Sequence, residues 1–193
     1  MSNKRGRLFV VSGPSGTGKS SLIEKFLAED SMCRFSVSYT TRAKRGHEVD
    51  GRDYRFVDEG TFRAMIARGE FLEWESVHGH MYGTPRREVE EPLSAGLDVI
   101  LDIDVKGALT VKEKLPEAVL IFVDTPSMDE LVRRLVARGE KEIERRMQRV
   151  REEVEKKDLF TCVVINDNLN RAYGEFKSII AGVRRQQDGQ DNR

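Results

Sequence analysis

Gly13-Pro14-Ser15-Gly16-Thr17-Gly18-Lys19-Ser20 stands between an apolar run, Leu8-Phe9-Val10-Val11, and an amphipathic segment that opens at Ser21. The eight residues match G-x-x-x-x-G-K-[ST], a pattern whose physical basis is phosphate binding. Its glycines let the chain curl tightly and turn successive N–H groups inward, while the helix expected to start at Lys19 directs its positive end to the same point. Lys19 has the reach to touch outer phosphates, and the Ser20 hydroxyl suits the oxygen shell of a magnesium ion. Such a loop needs a strand before it and a helix after it. Residues 7–12 are apolar and rich in β-branched side chains, as a buried strand is, and Leu22, Ile23, Phe26 and Leu27 recur at helical spacing. The unit is βα, with a phosphate site at its turn.

The chain has 193 residues, enough for one well-buried core with room for a subdomain. Its 33 Lys plus Arg balance 33 Asp plus Glu, so the molecule as a whole has no strong field to draw nucleic acid or a membrane surface. Any anion site must be local. No apolar stretch approaches the roughly eighteen residues that a membrane span needs, and the first residues are polar and basic, which points to a cytoplasmic protein. Cys33 and Cys162 are far apart and in no C-x-x-C pair, so they read as small core residues in a reducing compartment.

Beyond the first βα unit, Phe35-Ser36-Val37-Ser38-Tyr39 alternates, and residues 40–53 are strongly charged with too few apolar groups for a core of their own. Solvated charge is the ordinary reading of such a run. Arg42 and Arg45, flanked by Ser38 and Tyr54, equally suit a clamp for a second anion, because guanidinium pairs bidentately with phosphate. A short helix over 61–68 and a strand over 71–77 follow, the strand placing Glu73 and Glu75 on one face. Tyr82-Gly83-Thr84 reads as a turn, and Thr84 as the cap of a helix over 86–95.

Val99-Ile100-Leu101 is again a buried strand, ending in Asp102-Ile103-Asp104. Acids at the carboxyl end of a parallel strand lie where ligands of open α/β sheets bind, and Asp102 is placed to hold magnesium through water. Residues 119–123 form a further buried strand, and Ser127 caps the helix after it. Residues 140–158 are almost solidly charged; their Arg145, Arg146 and Arg149 suit either a solvated helix face or neutralisation of a phosphoryl group in transfer. A last strand over 162–165 leads to Asn166-Asp167, and an amphipathic helix over 169–183 precedes a polar tail expected to fray.

Together these stretches resemble guanylate kinase over residues 7–180. The marks are residues 12–20, Thr40-Thr41-Arg42 with Arg45, Glu48-Val49-Asp50-Gly51, Asp53-Tyr54, Phe71-Leu72-Glu73-Trp74, Tyr82-Gly83-Thr84, Leu101-Asp102-Ile103-Asp104 with Gly107, and Asn166-Asp167. The resemblance implies an α/β fold of P-loop kinase type. One domain over 1–193 would comprise a doubly wound parallel sheet core at about 7–32 and 97–187, an inserted small mixed α/β GMP-binding subdomain at about 33–96, and a mobile lid at about 138–149. The implied activity is transfer of the γ-phosphate of ATP to GMP, with dGMP a secondary acceptor, Mg²⁺ the cofactor and no covalent intermediate.

By the same resemblance Lys19, Arg42, Arg138 and Arg146 are catalytic. ATP falls to Gly13, Pro14, Ser15, Gly16, Thr17, Gly18, Lys19, Ser20, Ser21, Asn166 and Asp167, its adenine near the last two. GMP falls to Ser38, Arg42, Arg45, Glu48, Tyr54, Glu73, Tyr82, Thr84 and Asp104, and the metal to Ser20 with Asp102 through water. Chemistry supports the base assignment. Guanine offers donors at N1 and N2 and an acceptor at O6, which two carboxylates and a hydroxyl match, whereas adenine N1 would set a lone pair against a buried carboxylate.

Three positions depart from the family pattern. Lys44 replaces a common proline, Ser20 a common threonine, and the run from Arg138 to Ile143 is two or three residues short, which leaves open whether Arg145, Arg146 or Arg149 enters the site. Two rival readings fit less of the sequence than the kinase reading does. Asp104-Val105-Lys106-Gly107 fits the D-x-x-G switch of a GTPase, yet no Asn-Lys-x-Asp follows to read guanine. Guanylate-kinase-like scaffold modules bind phosphopeptides, but they typically lose the phosphate-loop residues that Gly18, Lys19 and Ser20 retain here. Monomer and homo-oligomer both stay open.

Overall fold

The structure, a computed structural model, describes residues 5–77, 79–137, 139–140 and 143–190. β1 (Leu8–Ser12) is buried at all five positions, as a parallel strand covered on both faces must be. The phosphate loop carries it into α1 (Lys19–Glu29). There follow β2 (Cys33–Phe35), β3 (Tyr39–Thr40), β4 (Arg55–Phe56), α2 (Glu59–Ala67), β5 (Phe71–Val77), β6 (His80–Pro85) and α3 (Arg86–Ser94). The chain continues through β7 (Asp98–Asp102), α4 (Val105–Lys114), β8 (Val119–Asp124), α5 (Met128–Ala137), α6 (Ile143–Val154), a 3-10 turn at Lys157–Leu159, β9 (Cys162–Ile165) and α7 (Leu169–Gln190).

Five strands form a sheet in the order β2-β7-β1-β8-β9, and four more a second sheet in the order β4-β3-β6-β5. The β2–β7 and β8–β9 pairs run parallel. Helices fall between the strands of the large sheet, which is the α/β architecture the sequence predicts. The chain divides into two compact units.

One unit takes in the chain up to Phe9, Met32–Leu101 and Lys106–Ala118, and it holds the four-stranded sheet. That sheet is mixed: β3 pairs parallel with β4, while β6 pairs antiparallel with both β3 and β5. Phe62 and Met65 of α2 pack on Phe71 and Met81, with the Phe62 and Phe71 rings stacked 4.5 Å apart. Asp58 caps α2 by accepting from Thr61 N at 2.8 Å.

Here the structure corrects the sequence reading at Tyr82-Gly83-Thr84. These residues are not a turn but the middle of β6, held in register against β5 with Glu73 opposite Thr84 and Glu75 opposite Tyr82. Nor does Thr84 cap a helix. The N-cap of α3 is Pro85, whose side chain has no acceptor to offer, while Thr84 stands one residue before it with its hydroxyl donating to Glu73.

The other unit takes in Val10–Ser31, Asp102–Val105 and the chain from Val119 onward. β8 is buried at all six positions. Phe26 of α1 meets Phe176 of α7 edge to face at 5.7 Å, and Leu131 and Leu135 of α5 pack on Val150 of α6. Residues 191–193 of the tail expected to fray lie outside the described residues, but α7 itself runs past the end of the amphipathic pattern at Val183 to Gln190. Its rim is tied to α1 by Lys177 on Glu29 at 2.8 Å and Arg184 on Asp30 at 2.6 Å, partners too distant in sequence for a local reading to supply. Cys33 is buried and Cys162 half-buried, both as free thiols.

Candidate active site

The phosphate loop is held in a shape that only glycine permits at two points. Gly13 has φ 133°, and a Cβ there would fall 2.2 Å from the Val123 carbonyl; Gly18 has φ 94°, and a Cβ there would fall 2.3 Å from Asn166 Nδ2. Because Gly18 precedes α1 and no side chain caps that helix, its first-turn amides are left for an anion. Lys19 Nζ donates to the Gly13 carbonyl at 2.6 Å and the Pro14 carbonyl at 3.0 Å, so the ammonium lies folded over the loop. Phosphate oxygens make stronger, charge-assisted acceptors than these carbonyls. Pro14, Gly16 and Thr17 are buried, whereas Ser15 and Ser21 are exposed.

Ser20 Oγ donates to Asp102 Oδ2 at 3.4 Å. A hydroxyl and a carboxylate side by side are a hard-oxygen donor set of the kind Mg²⁺ takes, so the two residues fit that ion. Burial pushes the Asp102 carboxyl above its ordinary range, with Lys19 and the Ser20 hydroxyl pulling it back. A dication here would favour the ionised form.

Asn166 has a part that its sequence position did not reveal. Its side-chain amide, 5% exposed, donates to the Thr17 carbonyl at 2.7 Å, its own N–H donates to the Asp124 carbonyl at 2.8 Å, and its carbonyl accepts from Arg134 Nη2 at 2.8 Å. Asn166 is thus a brace that fixes the phosphate loop from outside. Asp167 is paired with Arg171. Arg134 enters this network with no sequence signal beyond its place in a run of basic residues.

Of the lid arginines, Arg138 lies outside the described residues, as do Lys141 and Glu142. Arg146 Nη2 stands 2.9 Å from Glu140 Oε2. Arg149 reaches Asp104, its Nη2 3.3 Å from Asp104 Oδ2, while its Nε donates to Glu153 Oε1 at 2.7 Å. The D-x-x-G run that suggested a GTPase switch is no loop: Asp104 precedes α4, and Val105-Lys106-Gly107 is the first turn of that helix.

In the other unit the charged run over 40–53 is not simply solvated. Arg42 and Glu48 are 9% and 8% exposed. Arg42 Nη1 donates to Glu48 Oε2 at 2.7 Å and Nη2 to Oε1 at 2.5 Å, a bidentate pair, and Arg45 N donates to Glu48 Oε2 at 2.8 Å. The Arg42 guanidinium lies 4.9 Å from the Tyr54 ring centre and 5.6 Å from that of Phe56, which shield it from water. Tyr54 and Tyr82 meet edge to face at 5.9 Å. Four GMP-site expectations, Arg42, Glu48, Tyr54 and Tyr82, are therefore neighbours, whereas the Arg45 side chain is exposed. Two more form a second buried group: the Thr84 hydroxyl donates to Glu73 Oε1 at 2.5 Å, with Glu73 4% exposed. Ser38 is 8% exposed and its carbonyl accepts from Arg55 N.

The hydrogen bonds from Arg42, then from Arg45 N, hold the Glu48 carboxyl down at about 2, against an ordinary value of 4.5. A carboxyl lowered by folding stabilises the fold fully above its unfolded value and ceases to do so as pH falls through its folded value. Acid titration of unfolding should therefore show wild type losing stability relative to Glu48→Gln between about pH 4.5 and 2. A stability difference independent of pH across that window would show that Glu48 carries no such linkage.

A glycine-rich phosphate loop at the end of a parallel strand, opening a helix with Lys and Ser in its first turn, is the arrangement of the P-loop kinases. The guanylate kinase family model matches residues 5–182. A guanylate kinase of Thermus thermophilus is 48% identical over 96% of this chain and 84% of that protein, and one of Rubrobacter xylanophilus is 48% identical over 93% and 96%. The crystal structure of guanylate kinase from Anaplasma phagocytophilum superposes with a TM-score of 0.77 at 30% identity, covering 93% of this chain and 86% of that one. The chain belongs to the guanylate kinase family of enzymes. No helix among the described residues is long and apolar enough to cross a membrane.

Proposed function

We propose that this chain transfers the γ-phosphate of ATP to GMP, giving ADP and GDP, in a direct in-line displacement that uses Mg²⁺. The observation that carries the choice of acceptor is the buried Glu73–Thr84 pair. The Thr84 hydroxyl already donates to this carboxylate; guanine brings further N–H donors at N1 and N2 that a carboxylate accepts, whereas adenine N1 brings a lone pair that it would repel. Ser38 and Asp104 complete the reading of the base. dGMP, which offers the same base and the same phosphate to these groups, is a second acceptor. Residues 33–96 serve as the GMP-binding subdomain, with Arg42, Arg45, Tyr54 and Tyr82 on the acceptor phosphate and Glu48 aiming Arg42.

Lys19 and the loop amides from Gly13 to Ser21 hold the outer phosphates of ATP, and Asn166 keeps that loop in shape. Ser20, and Asp102 through water, would hold Mg²⁺, which when bound supplies charge neutralisation on the phosphate oxygens. Phosphoryl transfer is mainly alignment and electrostatics, so Lys19, Arg42, Arg138 and Arg146 contribute by position and charge rather than by bonding. A lid over 138–149 would exclude water, the competing acceptor.

The test is Glu73→Gln. The amide cannot offer guanine two acceptor oxygens, and kcat/KM for GMP should fall about 10- to 100-fold while the preference over AMP narrows. Discrimination left intact would remove Glu73 from the base site.

A further inference from the structure

We propose that Arg149 holds the place of guanine on Asp104 in the nucleotide-free protein, and that GMP must displace it to bind. The inference rests on the reading of Asp104 as a guanine-recognition group. The geometry is that of a side chain strung between two carboxylates on either side: Arg149 Nη2 is 3.3 Å from Asp104 Oδ2, and Nε donates to Glu153 Oε1 at 2.7 Å. Glu153 lies one helical turn further along α6, so that end of the link is local and survives if the other end opens. The helix itself is seated by Val150 against Leu131 and Leu135, which keeps the Arg149 side chain in reach of Asp104.

Chemistry makes the two occupants equivalent. The N1–H, C2 and N2–H₂ edge of guanine is a guanidine fragment within a ring, with two parallel N–H donors in one plane. An arginine guanidinium presents the same planar fork, and a carboxylate accepts either one. Arg149 is therefore an intramolecular stand-in for the feature of the base that Asp104 recognises. Lysine, a point charge without the fork, would be a poorer stand-in.

The consequence is competition. Every ligand that engages Asp104 gives up the Arg149–Asp104 pair in doing so, and a ligand that does not engage it gives up nothing. With Arg149 31% exposed and Asp104 19% exposed, the pair is partly screened, and its loss should be felt as a modest factor in affinity. The released cation stays on α6, anchored by Glu153.

The experiment is a double-mutant cycle on the full chain, reading the Kd of GMP without ATP by titration calorimetry for wild type, Arg149→Met, Asp104→Asn and the double variant. Arg149→Met keeps the aliphatic stem; Arg149→Gln takes its place should the methionine variant fail to fold. Removing the competitor should tighten GMP binding about two- to fivefold when Asp104 is present. It should change little in the Asp104→Asn background, where the charge pair is gone and at most a neutral amide oxygen is left to accept from Arg149. A merely structural Arg149 would move both backgrounds alike, and that result overturns the proposal, as does unchanged or weaker GMP binding in the Asp104 background. If Asp104→Asn alone leaves the Kd of GMP at its wild-type value, the base-reading role of Asp104 has failed instead. If Asp104→Asn weakens GMP while Arg149→Met does not tighten it, that role stands and only the stand-in falls.

Discussion

Lys19→Met should lower kcat for ATP plus GMP by about 10²- to 10³-fold, the usual loss when one positioned donor is withdrawn from a developing negative charge. The methionine stem keeps much of the volume and removes only the ammonium. In the free protein that ammonium is spent on the Gly13 and Pro14 carbonyls, at 2.6 and 3.0 Å, inside a loop already fixed by glycine geometry and by Asn166. The fold should therefore survive, and the melting temperature should stay within a few degrees of wild type. Steady-state kinetics with a melting curve beside them decide the matter: a kcat within threefold of wild type would remove Lys19 from the chemistry.

Glu48→Ala should be the most damaging single change to stability among the site residues. It leaves the Arg42 guanidinium, 9% exposed, without the carboxylate that both of its outer nitrogens address. Breaking one side of a buried pair costs about 3–5 kcal/mol, whereas replacing both sides by apolar groups is often close to neutral. At about 2–4 °C per kcal/mol for a chain of this size, the melting temperature should fall by roughly 10 °C. The Arg42→Met, Glu48→Ala double variant should recover part of that loss while losing the affinity for GMP that is proposed for Arg42. Thermal melts of the three variants check this. A Glu48→Ala protein as stable as wild type would mean that the pair is not buried in solution.

How far the sequence was legible follows from how local each signal is. Residues 8–11 and 119–123 are continuous apolar runs between polar stops, so their strands lie close to where the sequence puts them. The phosphate loop is legible because its glycines, lysine and serine act within eight residues of one another. Tyr82-Gly83-Thr84 misleads, because glycine between polar groups is locally a turn signal, and only pairing with β3 and β5 makes it strand. The end of α7 misleads for the same reason: the polarity after Val183 is local, while the Arg184–Asp30 contact beside it spans 154 residues.

The site divides along the same line. Arg42 and Glu48 are six residues apart, and the run containing them shows its charges, yet composition alone cannot say that two of those charges are buried together. Asn166 bracing Thr17 across 149 residues and Arg149 meeting Asp104 across 45 carry no spacing rule at all. Those contacts are properties of the fold, and no motif in the sequence announces them.

The central claim is that this chain phosphorylates GMP and reads guanine in doing so. Its most direct test is a coupled assay of the purified protein with ATP and Mg²⁺, comparing GMP and AMP as acceptors at equal concentration. GDP should form rapidly, with kcat/KM for GMP at least about a hundredfold above that for AMP. Equal turnover of the two nucleotides, or none with GMP, would contradict the account.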